Sequence, residues 1–194
     1  MSRPELPALA LATIRSPATA ARDLMALNLP SQALWAGLGL VAVAHALFYL
    51  FSETVSPSPV TQIIGSPLRY FLLVAVNMAL TAFALHRVGR LMGGEAALDD
   101  VLVLIVWLNG LYLVSLLAVL LIGLAVPLVG MVLVFVTVIL GFWITLHFVN
   151  EAHRLGSLFR AFGVIVAAII VVFICLSLVQ VILGLPTGGT LPDV

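Results

Sequence analysis

The chain has 194 residues, of which 63% are hydrophobic and only 8% are charged, and its formal net charge is zero. A soluble domain carries about a quarter charged residues, and a chain of this size could not bury so much apolar surface in water, so the composition excludes a soluble globular protein. The balanced charge also argues against a nucleic-acid partner. We therefore expect an all-α polytopic membrane bundle whose main solvent is lipid.

Five apolar segments are long enough to cross a bilayer as helices, since a core of about 30 Å takes about 20 helical residues. Residues 101–149 contain no acidic or basic residue other than His147 and are too long for one crossing, so Gly123 and Pro127 are expected to mark a hairpin turn. The five apolar segments belong to one predicted bundle over 31–186. The predicted spans are about 31–52, 67–90, 100–123, 126–148 and 161–184, followed by an external tail at 187–194.

Local signals predict where some of these helices begin and end. Ser66 followed by Pro67 is typical of an N-cap and a first helical position. Gly93 favours a stop after the second span, because glycine readily adopts the left-handed cap conformation. Asp99 or Asp100 is expected to cap the third span, where an anion complements the helix dipole.

The arginines alternate between the segments that separate the spans. Cytoplasmic loops are enriched in basic residues, so this alternation predicts a cytoplasmic N-terminus and an external C-terminus. Only Arg69 departs from it. The seven arginines on the predicted cytoplasmic side are Arg3, Arg15, Arg22, Arg87, Arg90, Arg154 and Arg160.

The N-terminal segment, 1–30, is expected to hold one helix that begins at Pro17 and stops before Pro30. It is too short to cross the bilayer. Leu24 could face lipid while Arg22 faces water, which predicts an amphipathic helix lying on the inner leaflet. The alternative is a helix packed over the cytoplasmic end of the bundle.

Polar side chains inside membrane spans are rare and mark candidate functional sites. Asn77 and Asn109 lie at similar depth and could hydrogen-bond across the second and third spans, as a structural contact or as part of a transport site. For His45, a haem ligand, a proton relay and a structural hydrogen bond are all open, but the other histidines lie at a different depth, which argues against haem and leaves no predicted cofactor. The candidate intramembrane residues are His45, Asn77, Asn109 and Gln180.

A second cluster of polar residues is expected at the cytoplasmic rim. Arg87 and Arg90 are predicted to pair with Asp99 and Asp100 across the loop between the second and third spans. The spacing contains no tight ligand motif, so no catalytic, cofactor-binding or metal site is predicted, although a metal or proton site remains the alternative. The rim cluster comprises His86, Arg87, Arg90, Asp99, Asp100, His147, Glu151, His153 and Arg154.

Small residues line the first span and the start of the fifth, and small faces let helix backbones approach closely in lipid. We therefore expect these two helices to pack centrally or against a partner. The small residues concerned are Ala36, Gly37, Gly39, Ala42, Ala44, Ala46, Gly163, Ala167 and Ala168.

Three stretches resemble bacterial members of the Yip family, named for Ypt/Rab-interacting proteins. They are SPATAARDLMALNLPSQALW (16–35), GGEAALDDVLVLIVW (93–107) and FWITLHFVNEAHRLGSLFRAFGV (142–164). The resemblance implies a five-span protein of the bacterial cytoplasmic (inner) membrane with no catalytic residues. The Asp-Leu-Tyr-Gly-Pro motif of the eukaryotic members is absent, so GTPase binding is not implied.

The expected function is that of a non-enzymatic protein that organises membrane or interacts with other membrane proteins. Its expected partners are the lipid bilayer and other membrane proteins or a second copy of the chain. The alternative is a small transporter or channel component, or an accessory subunit of a larger complex. Polar residues within the spans favour a transporter or channel component, whereas small-residue faces and missing catalytic motifs favour the first interpretation.

Overall fold

Helices account for nearly all of the residues that the computed structural model describes, 5–57 and 66–182, and no strand occurs among them. Five of these helices are apolar and long enough to cross a membrane, which confirms the predicted all-α fold with five spans. The side chain of Gln180 and the predicted tail at 187–194 lie outside the described residues. The helices are α1 (Leu6–Arg15), α2 (Pro17–Met25), α3 (Ser31–Val55), α4 (Pro67–Leu91), α5 (Leu98–Ala125), α6 (Pro127–His153) and α7 (Leu158–Ile182).

The ends of α4 follow the local signals in the sequence. Ser66 is the N-cap, its hydroxyl oxygen accepts a hydrogen bond from the backbone N–H of Arg69 at 3.2 Å, and Pro67 is the first helical residue. After the helix, Gly93 has a φ of +89°, a left-handed conformation that glycine adopts without steric cost.

The start of α5 differs from the prediction, because neither Asp99 nor Asp100 is its N-cap. The helix begins at Leu98 and Ala97 is the N-cap. The Asp100 carboxylate instead accepts a hydrogen bond from the Ala97 N–H at 3.0 Å, which satisfies one of the free donors of the first turn. Asp99 is occupied elsewhere, since its carboxylate accepts a 2.6 Å hydrogen bond from the Ser31 hydroxyl at the start of α3.

Helices α5 and α6 form a hairpin in which Val126 is the only residue between them. The tight turn brings two glycines together, so that a Cβ built on Gly130 would lie 2.5 Å from the Cα of Gly123. The glycines therefore permit a backbone approach that larger residues would prevent.

The central helix of the bundle is α4, which packs against all four of the other long helices. Helices α3 and α7 both pack against α4, so of the two expected arrangements the central one is not observed, and packing against a partner stays a prediction. Their small residues still serve close packing, because Ala42 and Ala168 are buried and Gly37 lies against Val106 of α5. In lipid, small residues set how near two helices come, but they do not specify which helices meet.

Helix α2 packs on the bundle rather than on lipid. Ala20, Ala21 and Leu24 are buried, and the helix contacts α6 and α5. The amphipathic pattern was correctly assigned to this segment, but its apolar face meets protein, as in the alternative interpretation. In both settings the same residues leave water, so the pattern alone could not distinguish them.

Helix α1 was not predicted from the sequence. It has ten residues, which makes it about 15 Å long and too short to cross the bilayer. Leu9 and Thr13 are buried, whereas Leu11 and Ile14 on its other face are exposed, as is Leu6 in its first turn. An apolar exposed face on a non-spanning helix is typical of interfacial helices. The interfacial character predicted for the segment that forms α2 is therefore found in α1.

The Thr13 hydroxyl joins α1 to the bundle, and we expect Thr13→Val to loosen this attachment. Its oxygen accepts a 3.0 Å hydrogen bond from the indole N–H of Trp107 on α5 and donates to the Leu9 carbonyl at 2.8 Å. Valine keeps the shape but leaves the indole donor unpaired, which should cost about 1–3 kcal/mol of unfolding free energy. Equilibrium unfolding in detergent measures this cost, and Thr54→Val, at an exposed hydroxyl, is the control. Equal effects of the two substitutions would contradict the attachment.

Candidate functional site in the bundle

A cavity of about 270 Å³ lies between α4, α5 and α6. Most of its wall is apolar, and no arginine, aspartate or glutamate of the described residues lines it. A second, more apolar cavity between α4, α6 and α7 shares Asn77, Thr81 and Thr145 with it. The polar residues that line the first cavity are Asn77, Thr81, Asn109, Tyr112, Thr145 and His153.

The structure brings Asn77 and Asn109 to the same cavity but does not join them. The side-chain amide of Asn109 donates to the carbonyl of Ile105 on its own helix at 2.9 Å. Within the described part of the chain, no hydrogen bond connects the two asparagines. The predicted hydrogen bond between α4 and α5 is therefore not formed. The two asparagines lie at similar depth, but the cavity separates the helix faces that carry them.

His45 lies behind the cavity wall. It is buried on α3, and its Nδ1 is 3.0 Å from the Val41 carbonyl. Its ring stacks on that of Tyr112, with 6.3 Å between ring centroids. A local hydrogen bond and a stacked aromatic neighbour support the structural interpretation among the three that the sequence left open.

His153, the last residue of α6, closes one end of the cavity. The sequence placed it among charges at the rim, but its side chain is only 1% exposed and packs against Gly89 and Gly94. A Cβ on either glycine would overlap the imidazole ring, so the absence of side chains there creates the slot that holds it. Neither ring nitrogen has a hydrogen-bond partner, and Nδ1 of the nearby His86 is also buried without one.

At the rim, the ion pairs differ from those predicted. Arg22 of α2 pairs with Glu151 of α6 at 2.8 Å, and Arg154 pairs with Glu95 of the α4–α5 loop at 3.2 Å. Among the described residues Arg87 makes no ion pair. The predicted pairing across the α4–α5 loop is wrong for a physical reason: Asp99 and Asp100 bind a hydroxyl and a backbone N–H, while Arg87 and Arg90 are exposed.

The remaining rim histidine, His147, packs on Trp143 of its own helix with 4.1 Å between ring centroids. Its Nδ1 is 2.9 Å from the Trp143 carbonyl. Over residues 5–57 and 66–182, no group of three or more histidine, cysteine, aspartate or glutamate side chains has the arrangement of a metal site.

We expect a double-mutant cycle to detect the Arg22–Glu151 pair. Alanine at both positions should show a coupling of about 0.2–1 kcal/mol in unfolding free energy, since the pair is exposed to solvent, and the coupling should shrink as salt is raised. The same cycle on Arg87 and Asp99 serves as the control and should show none. A larger coupling for the control pair would restore the pairing predicted from the sequence.

The fold and the site together define a polytopic helical membrane protein with a cavity between α4, α5 and α6 whose mostly apolar wall carries several polar side chains. Comparison with protein families identifies the particular class: a model of the Yip1 domain matches residues 11–179, from within α1 to near the end of α7. The chain belongs to the Yip1 family. Searches of curated proteins and of solved structures found no match.

Proposed function

We propose that this Yip1-family protein is non-enzymatic and organises the lipid around it, with α1 as the element that acts on the membrane. The observation that carries the proposal is the exposed apolar surface of α1: Leu11 and Ile14, on the face away from the bundle, are 47% and 51% exposed, and Leu6 in the first turn is 69% exposed. Lipid is the solvent that best accommodates such a face next to a membrane bundle.

The length and attachment of α1 determine how it would act. At about 15 Å it is too short to cross a 30 Å core, so it would enlarge the protein in one leaflet only. Its hydrogen bond to Trp107, in the third turn of α5, holds it beside the bundle instead of leaving it free in the interface. A helix inserted in one leaflet couples the protein to membrane curvature.

Reconstitution of the full chain into liposomes, followed by electron cryomicroscopy of vesicle diameter, tests this proposal. We expect the wild-type protein to narrow the vesicles relative to protein-free liposomes. The triple substitution Leu6→Ser, Leu11→Ser and Ile14→Ser should abolish the effect, because it removes the apolar face. The matched control, Leu6→Ile, Leu11→Ile and Ile14→Leu, keeps that face and should retain the effect. Equal vesicle diameters for the serine and control variants would overturn the proposal.

Other membrane proteins or a second copy of the chain are the partners we propose for the lipid-facing surface. Family membership supports this, together with the small-residue face of α3, where Gly39 has no heavy atom within 4 Å of a built Cβ. Co-purification of the full chain in mild detergent tests it: a stoichiometric partner or a homo-oligomer is the expected result, and a monomer alone would contradict it.

We further propose that the N-terminus is cytoplasmic, the C-terminus is external and the membrane is the bacterial inner membrane. The arginine pattern supports this, and the two ion pairs agree because they join α2, the α4–α5 loop and the end of α6 at one end of the bundle. We expect alkaline phosphatase fused after Val194 to be active and the same reporter after Gly94 to be inactive. The reverse pattern would contradict the orientation.

The second candidate function is that of a small transporter or channel component. The cavity between α4, α5 and α6 is the specific observation in its favour, because polar side chains inside a membrane bundle mark solute pathways. Leakage of small solutes from liposomes that hold the full chain, absent from protein-free liposomes, would support this candidate over lipid organisation.

A further inference from the structure

Three arginines at the adjoining ends of α4 and α7 have no counterion in the described part of the chain. Arg87 and Arg90 lie near the end of α4, Arg160 lies in the first turn of α7, and all three side chains are exposed. Neither of the two ion pairs found over residues 5–57 and 66–182 includes any of them. Their guanidinium groups are therefore available to an anion from outside the chain.

The carboxylates at the same end of the bundle are already engaged elsewhere. Glu95 and Glu151 pair with two other arginines, and Asp99 and Asp100 accept hydrogen bonds from a serine hydroxyl and a backbone N–H. Asp23 lies on α2, which packs on α5 and α6. The excess positive charge is therefore located where α4 meets α7.

A close contact brings these two helix ends together. Met92 directly follows α4, and its Cε would lie 3.2 Å from a Cβ built on Gly163 in the second turn of α7. The end of α4 and the start of α7 therefore form one continuous surface. On α4, Arg87 and Leu91 are four residues apart and share a helix face.

Large apolar side chains on this surface are more exposed than any others in the described part of the chain. Leu91 is 86% exposed and Phe159 is 83% exposed, and each is the sequence neighbour of one of the three arginines. Basic and apolar groups side by side at the end of spanning helices suit the membrane interface, where phosphates lie next to acyl chains. A soluble anion would satisfy the arginines but would leave the apolar side chains in water.

We infer that Arg87, Arg90 and Arg160, together with Leu91 and Phe159, form a binding surface for an anionic phospholipid. The guanidinium groups donate hydrogen bonds to the lipid phosphate, for which their planar fork is well suited, and the apolar side chains contact the acyl chains. A zwitterionic lipid also carries a phosphate, but the arginines repel its cationic headgroup. The surface does not involve α1, so it is independent of the effect proposed for that helix.

Native mass spectrometry of the full chain in mild detergent tests this inference. The protein is titrated with phosphatidylglycerol and, separately, with phosphatidylcholine that carries the same acyl chains. We expect the first phosphatidylglycerol to bind at least about tenfold more tightly, since each arginine near an anionic lipid contributes about a fivefold change in affinity. Equal affinities for the two lipids would overturn the inference.

Single glutamine substitutions locate the binding surface. Arg87→Gln and Arg160→Gln should each weaken phosphatidylglycerol binding about fivefold and leave phosphatidylcholine binding unchanged. Arg69→Gln is the matched control, because Arg69 is exposed at the opposite end of α4 and its loss changes the net charge equally. Arg87→Lys keeps the charge and should retain most of the affinity. Equal losses for Arg69→Gln and Arg87→Gln would reduce the effect to overall charge and overturn the site.

A further pair of variants tests the contact with acyl chains. Leu91→Ser combined with Phe159→Ser should weaken phosphatidylglycerol binding severalfold. Leu128→Ser combined with Phe173→Ser, at side chains 72% and 71% exposed on other parts of α6 and α7, should not. Millimolar inorganic phosphate should leave the bound lipid in place. Displacement by inorganic phosphate, or equal losses for the two double variants, would overturn a phospholipid as the occupant.

Discussion

Gly130→Ala is expected to destabilise the folded bundle by about 2 kcal/mol, because it forces apart the backbones of α5 and α6. The new Cβ would lie 2.5 Å from the Cα and 3.2 Å from the amide nitrogen of Gly123. Overpacking of this kind costs about 1–3 kcal/mol, and backbone atoms cannot rotate away as a side chain can. The connection through Val126 alone also prevents the hairpin from opening at its turn.

The partner glycine provides the control for this experiment. A Cβ on Gly123 would lie 3.6 Å from the Cα of Gly130, which is ordinary van der Waals contact, so Gly123→Ala should be neutral or slightly stabilising. Unfolding by sodium dodecyl sulfate, followed by circular dichroism, compares the two variants in mixed micelles. An equal loss of unfolding free energy in both variants would contradict the difference between the two contacts, which is 2.5 Å for a Cβ on Gly130 and 3.6 Å for a Cβ on Gly123.

Gly89→Ala is expected to cost about 2 kcal/mol or more, because its methyl group would overlap the ring of His153. The ring is almost fully buried and Gly94 lies against it as well, so relieving the overlap requires the imidazole to leave its slot. The double variant Gly89→Ala with His153→Ala should recover much of the stability, since the smaller side chain leaves room for the methyl group. The same unfolding assay should therefore give a coupling energy of about 1–3 kcal/mol between the two sites.

Gly39→Ala tests whether any added methyl group in a long helix is harmful. No heavy atom lies within 4 Å of a Cβ built on Gly39, so this substitution should not lower the unfolding free energy. Additive losses for Gly89→Ala and His153→Ala would show that the slot does not hold the histidine.

Much of the architecture follows from the sequence alone, since it depends on neighbouring residues. The charge-free run at 101–149 is too long for one crossing and must fold back, whatever it packs against. Ser66 and Pro67 begin α4 through bonds to the adjacent turn, and Gly93 ends it through its own backbone conformation. These are local properties. The resemblance to the Yip family also came from the sequence alone, and the match of the Yip1 domain confirmed it.

The contacts of α1 and α2 and the two ion pairs could not be predicted from neighbouring residues in the sequence. Helix α1 is too short to give the signal of a spanning segment, and its capture by Trp107 joins residues 94 positions apart. The pairing of Arg22 with Glu151 spans 129 positions. Sequence reasoning instead paired charges across the nearest loop, where Asp99 and Asp100 already have local partners.

The sequence by itself determined the number of helices long enough to span a membrane, several of their ends and the polar residues that they carry. Only the tertiary structure decided that α4 is central, that Asn77 and Asn109 share a cavity without touching, and that two glycines hold His153 at its end. The reason is physical: in a helix that is apolar on every side, hydrophobic periodicity does not identify the face that meets protein. Close packing between particular helices makes that choice, and it depends on residues far apart in the chain.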